Sequence, residues 1–290
     1  MTEVHHFSYG LLTPAAAYIM SFVGSLLGLL CTARARATTG RSRASWLGLA
    51  ALAIGGTGIW VMHFIAMLGF SVSHTEIRYD VPLTLLSCAV AVVVVAVGLF
   101  IVGFAGTRTP VIVAGGVLTG AGVASMHYMG MMAMNMAADV GYQPALVALS
   151  VLIALVAATA ALWFATRVRG LWATAGAALI MGLAVSGMHY VGMAAMRIHP
   201  HDHAHDAALG GAGAADFLLP LVGGVGAVAT LLLIIIAMAP NEDEMRIEAA
   251  LQERVEARRQ SPPPAAPADQ IGHPDPRPAP GEWFGGGPGR

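Results

Sequence analysis

Gly120-Ala-Gly122-Val-Ala-Ser-Met126-His127-Tyr128-Met129-Gly130-Met131 lies inside an apolar run, residues 111–136, that is long enough to cross a bilayer. The pattern recurs on both sides. Upstream the chain reads Gly56-Thr-Gly58-Ile-Trp-Val-Met62-His63-Phe64-Ile65-Ala66-Met67; downstream it reads Gly182-Leu-Ala184-Val-Ser-Gly-Met188-His189-Tyr190-Val191-Gly192-Met193. An ionisable side chain inside a membrane span is costly and is by default a functional residue. Three histidines, each after a methionine and each near the end of an apolar run, point to one site built from three helices.

Around these runs the chain is 57% hydrophobic and 11% charged, where a soluble protein carries about a quarter charged residues. The fold class is therefore an all-α, polytopic membrane protein. Runs of about 20 residues, the length that spans the bilayer core, fall at 11–31, 46–70, 83–104, 111–136, 145–165, 171–196 and 217–239. Seven transmembrane helices are expected, with a repeated two-helix unit in which a motif helix is followed by a plainer one. Glu3 is the one charge ahead of the first run, so that run is expected to be a retained helix rather than a cleaved signal. Small residues ahead of each motif, and the GxxxG pairs Gly24/Gly28 and Gly116/Gly120, suit close helix packing.

Arginine supplies every basic residue and sets a direction. Arg34, Arg36, Arg41, Arg43, Arg108, Arg167 and Arg169 fall in alternate loops, while the opposite loops hold Arg78 and Arg197. By the positive-inside rule the N-terminus is expected outside and the C-terminus in the cytoplasm. His63, His127 and His189 then sit in the outer leaflet, with lipid around the bundle. The net charge of −1 leaves no basic footprint for nucleic acid. Cys31 and Cys88 fall in opposite leaflets, so no disulfide between them is expected.

Residues at i and i+4 share a helix face. That spacing pairs His63 with Met67, His127 with Met131 and His189 with Met193; Met62, Met126 and Met188 are adjacent, and one further turn adds Met134 and Met196. Thioether and imidazole together suit copper, the cuprous ion above all. Haem is the rival cofactor, because His–His or His–Met axial ligation draws on the same residues. The plain alternative is that methionine fills gaps in apolar helices and that each histidine bonds a neighbouring helix. Tyr128 and Tyr190 are placed to support the ligands; Phe64 has no hydroxyl to offer. The run His199-Pro-His201-Asp-His203-Ala-His205 is a second metal candidate.

These residues resemble the MHYT domain, a bacterial seven-helix membrane sensor whose signature is Met-His-Tyr-Thr-Gly-Met. The resemblance covers about residues 6–240. It implies copper binding and detection of dioxygen, carbon monoxide or nitric oxide, and it adds a histidine before the first helix, here His6. Threonine is absent from all three copies, Phe64 replaces tyrosine in the first and Ala66 replaces glycine there.

Residues 1–240 are thus expected to form the membrane domain, 241–260 a short cytoplasmic helix capped by Asn241 with Glu244, and 261–290 a disordered Pro/Gly-rich tail. Ile247, Leu251 and Val255 would form a stripe on that helix. The tail shows no catalytic constellation, so no enzyme activity is expected. A sensor would signal through a cytoplasmic or membrane partner. The alternatives are a copper transport or delivery factor and a haem-binding membrane electron carrier.

Overall fold

The computed structural model describes residues 4–5, 8–72, 76–200, 210–238 and 242–260. Strand β1 (Val4–His5) precedes helix α1 (Leu12–Ala37). Helix α2 (Gly40–Leu68) leads to β2 (Ser71–Val72). Next come β3 (Arg78–Tyr79), α3 (Val81–Ala105), α4 (Thr109–Met132) and β4 (Met134–Asn135). A third set follows: β5 (Ala138–Tyr142), α5 (Pro144–Arg167), α6 (Leu171–Ala194) and β6 (Met196–Pro200). The chain continues with β7 (Ala212–Gly213), α7 (Ala214–Met238) and α8 (Glu242–Gln260). Among the described residues six helices, α1 to α6, are long and apolar enough to cross a membrane; in α7 the apolar stretch is the shorter Gly223–Ile236.

The helices also pair across the boundaries of the sequence repeat. Each plain helix and the motif helix after it form an antiparallel hairpin, and a ribbon ties the hairpin shut at the motif end. The strand before the plain helix pairs with the strand after the motif helix: β1 with β2, β3 with β4, β5 with β6, all antiparallel. One backbone bond repeats beside each ribbon. Ser8 N donates to Gly69 O, Asp80 N to Ala133 O and Gln143 N to Ala195 O, each at 2.8 Å. These bonds satisfy carbonyls that a helix end leaves orphaned. The ribbon-tied hairpin is therefore plain helix first, motif helix second, offset by one helix from the sequence repeat, in which the motif helix comes first. Strand β7 adds to β3, which ties the start of α7 to the same end.

The hairpins close into a ring in the order α1, α2, α3, α4, α5, α6 and back to α1, with α7 packed on α2 and α1. Small residues set the crossings. A Cβ on Gly24 would lie 2.3 Å from Gly58 N, and one on Gly120 would lie 2.6 Å from Leu155 Cα. Both GxxxG pairs thus mark backbone contact, α1 on α2 and α4 on α5. At the end opposite the ribbons, Gly106 (φ 104) and Gly170 (φ 80) make the turns within the second and third hairpins. There Arg36 donates to the Ala165 and Val168 carbonyls at the end of α5. Arg34 donates to Ile236 O of α7 at 2.6 Å and stacks over Trp46. Cys31 and Cys88 are free.

The chain divides into two units, residues 1–246 and 247–290. In the second, Ile247, Leu251 and Val255 of α8 are exposed. Asn241, the expected cap, and the tail 261–290 lie outside the described residues.

Candidate metal centre

The motif helices occupy alternate places in the ring and approach one another at the ribbon end. There the three imidazoles meet. His63 Nδ1 lies 2.9 Å from His189 Nδ1 and 3.2 Å from His127 Nδ1. The rings meet edge to face, with centroids 4.9 to 5.2 Å apart and interplanar angles of 79 to 88°, like three blades of a propeller. All three side chains are essentially inaccessible, at 0 to 1% exposure. Among the described residues they are the one group of three His, Cys, Asp or Glu side chains close enough to share an ion.

Glycine makes the approach possible. A Cβ on Gly130 would lie 2.3 Å from His63 Nε2, and one on Gly192 would lie 2.2 Å from His127 Nε2. The His63 and His127 imidazoles thus rest their outer edges on the glycine of the next motif. Neither Nε2 atom has a hydrogen-bond partner. The corresponding position in the first motif is Ala66. Sequence reasoning quoted both glycines without giving them this task; the signal was a glycine three residues after histidine.

His63 Nδ1 thus faces two ring nitrogens at once. A neutral imidazole nitrogen carries either one proton or one lone pair, so it can serve one of these contacts well and leaves the other poorly satisfied. A cation at the centre removes the conflict by taking all three lone pairs. A first-row ion about 2.0–2.1 Å from each nitrogen would hold them about 3.3–3.6 Å apart, a few tenths of an ångström beyond the spacing here. The donor set is three neutral nitrogens in an apolar shell, suited to a soft or borderline ion and not to a hard one.

The other expected residues divide. Met62, Met67, Met126, Met131, Met188 and Met193 are all buried. Met134 and Met196 are buried too, but the i+7 helical spacing does not apply to them. Helices α4 and α6 stop at Met132 and Ala194, so these methionines stand on β4 and β6, opposite Tyr79 and Tyr142. Tyr128 turns its ring to His127 at 4.9 Å while its hydroxyl meets Ser150 Oγ at 2.6 Å. Tyr190 lies edge-on to His189 at 5.0 Å. Ribbon tyrosines cover the motif aromatics, Tyr79 against Phe64 and Tyr142 against Tyr128. Burial pushes the Tyr79 phenol above its ordinary pKa; burial, with Tyr128 nearby, raises that of Tyr142. Both stay neutral at physiological pH. His199 pairs through its backbone with Asp139. His6, His201, His203 and His205 lie outside the described residues.

The family described as bacterial signalling protein N terminal repeat, MHYT, matches residues 56–115, 120–178 and 182–242. The chain belongs to the MHYT family. MHYT repeats here account for all three histidines of the triad. Among curated proteins the chain is 42% identical over 193 residues to the bifunctional diguanylate cyclase/cyclic di-GMP phosphodiesterase MucR of Pseudomonas aeruginosa, covering 65% of this chain and 28% of that protein. It is 38% identical over 157 residues to the cyclic di-GMP phosphodiesterase NbdA of the same species, covering 52% and 20%. With the signaling protein YkoW of Bacillus subtilis it shares 29% over 203 residues, covering 67% and 25%. The chain thus spans between a fifth and just over a quarter of these relatives' length. No solved structure matches the chain.

Proposed function

We propose that this MHYT chain is an integral membrane sensor that holds copper, in its cuprous state, at His63, His127 and His189. The observation that carries this is the cluster of three buried imidazoles in which His63 Nδ1 faces two other ring nitrogens, a conflict that a cation relieves. Met67, Met131 and Met193, one turn on from each histidine, are the candidate additional ligands. When bound, copper would supply a redox change or an open position for dioxygen, carbon monoxide or nitric oxide. The protein's own part is to orient the rings on Gly130 and Gly192, and to keep water out with the aromatic cover of the ribbons.

An ion suits the site better than haem. Imidazoles in edge contact on every side leave no slot for a porphyrin between them. The arginine distribution supports a triad toward the outer face of a bacterial inner membrane, with α7 as a seventh span and α8 in the cytoplasm. Output then passes to a partner across the cytoplasmic end. The names of MucR and NbdA make cyclic di-GMP turnover the class of output to test first, supplied by another domain or protein.

The test is copper loading of purified protein, read by metal analysis and X-ray absorption. The expected result is one copper per chain with nitrogen ligation. His127→Ala should weaken binding by more than the roughly 10–100-fold that loss of an outer partner costs, and the triple His→Ala variant should abolish it. Unchanged copper in the triple variant would remove the proposal.

A further inference from the structure

Beside the imidazoles, toward the arginine-bearing end, the interior of the ring is left unfilled. A cavity of about 40 Å³ lies there. Its wall includes Ile59, Val123 and Val185. Each stands four residues before a triad histidine, and so on the same helix face one turn along. The three repeats that converge on the triad therefore converge again on the cavity.

We propose that this cavity is a docking site for a diatomic gas molecule held one helical turn from the triad. The proposal rests on the sensor function above and names where its ligand waits. The wall is almost wholly aliphatic. Ser25 and Thr119 bring its hydroxyls, and the Thr119 hydroxyl is committed to Val94 O. A buried water needs two to four polar partners, so water is poorly held here. The space admits a diatomic molecule and excludes metabolites, whose pockets run to hundreds of Å³. Dense packing would close such a void with one larger side chain at Ala158, yet the wall there is a methyl group. An entrance is also indicated. Ala157, Ala161 and Val185 are the partly exposed members of the wall, and they belong to α5 and α6. The thinnest barrier thus lies along those two helices, facing the lipid, where apolar gases concentrate.

Dioxygen itself is the probe. The full chain, methyl-labelled and in lipid nanodiscs without added metal, is placed under oxygen pressure and its methyl relaxation recorded. Oxygen should enhance relaxation of the Ile59 and Val123 methyls several-fold more than that of Leu27 and Val61, which are also buried but outside the cavity. Ala158→Phe should erase the difference, and Ala158→Leu should reduce it if the larger ring disturbs the fold. Equal enhancement at the two sets of methyls, or a difference that survives both substitutions, overturns the proposal. Because the protein carries no metal in this test, failure of copper to bind would defeat the sensor and leave the oxygen result to stand or fall separately.

Discussion

Motif helices α4 and α6 bury 44% and 39% of their most apolar stretch, whereas α2 buries 89%. The first two are regular α-helices. In α2 the ten residues Leu52–Val61, just ahead of Met62-His63, are π-helical, a rare geometry that gathers at functional sites. Helix α7 packs on α2, so the first motif helix has neighbours where its counterparts face the surroundings. The aromatic after the histidine differs accordingly. In the second repeat, Ser150 Oγ donates to Val147 O, so the Tyr128 hydroxyl must be the donor in its bond to Ser150. In the first repeat, Ser87 holds the place of Ser150 and donates likewise to Thr84 O, but its partner is Trp60 Nε1 at 2.9 Å. Phe64 then has no need of a hydroxyl. The serine is constant and its donor has moved one turn along the motif helix, so the missing tyrosine of the first motif is an exchange of hydrogen bonds rather than a loss.

The largest expected effect tests the glycine edge that the two regular motifs share and the first lacks. Gly130→Ala should push the His63 ring out of place. Overpacking of this kind costs about 1–3 kcal/mol, equivalent to about 5- to 150-fold weaker copper binding. Gly192→Ala should do the same through His127. Ala66→Gly, at the matching position of the first motif, should change affinity less than about threefold, since nothing is inserted. Copper titrations of the three variants decide it; equal losses in all three would mean that general disturbance of helix packing, not contact with the rings, is responsible.

How much of this the sequence disclosed follows from range. Membrane class, helix count to within α7, GxxxG contacts and convergence of His63, His127 and His189 all rest on periodicity within single helices, which a sequence displays. The ribbons do not. Strands of two residues such as Ser71–Val72 or Met134–Asn135 have no period to detect, and without them the repeat can be cut either way. For the same reason the i+7 spacing reaches Met134 and Met196 although their helices end at Met132 and Ala194. The Trp60–Ser87 exchange joins residues on different helices and becomes visible only when the plain helices are aligned, Asp80 with Gln143 and Ser87 with Ser150.

The next effect asks whether that exchange is complete. Phe64→Tyr should add a buried hydroxyl beside a serine already engaged by Trp60, and an unsatisfied buried hydroxyl costs about 1–3 kcal/mol. Trp60→Phe frees Ser87, so Phe64→Tyr with Trp60→Phe should be less destabilised than the sum of the single variants. Thermal unfolding in detergent measures both. Strict additivity would mean that the two side chains do not compete for Ser87.

The smallest effect separates donor from acceptor in the second repeat. Tyr128→Phe removes the donor and leaves Ser150 with its own proton still given to Val147 O, so stability should fall by about 0.5–1.5 kcal/mol, the net worth of one hydrogen bond. Ser150→Ala instead strands the Tyr128 hydroxyl in a half-buried place and should cost more. The order of the two values is the test, because both remove the same bond. If Tyr128→Phe proved the worse, the hydroxyl would have to act on something besides Ser150, with the neighbouring His127 ring the first place to look, and the first motif with Phe64 would then lack a function that the second retains.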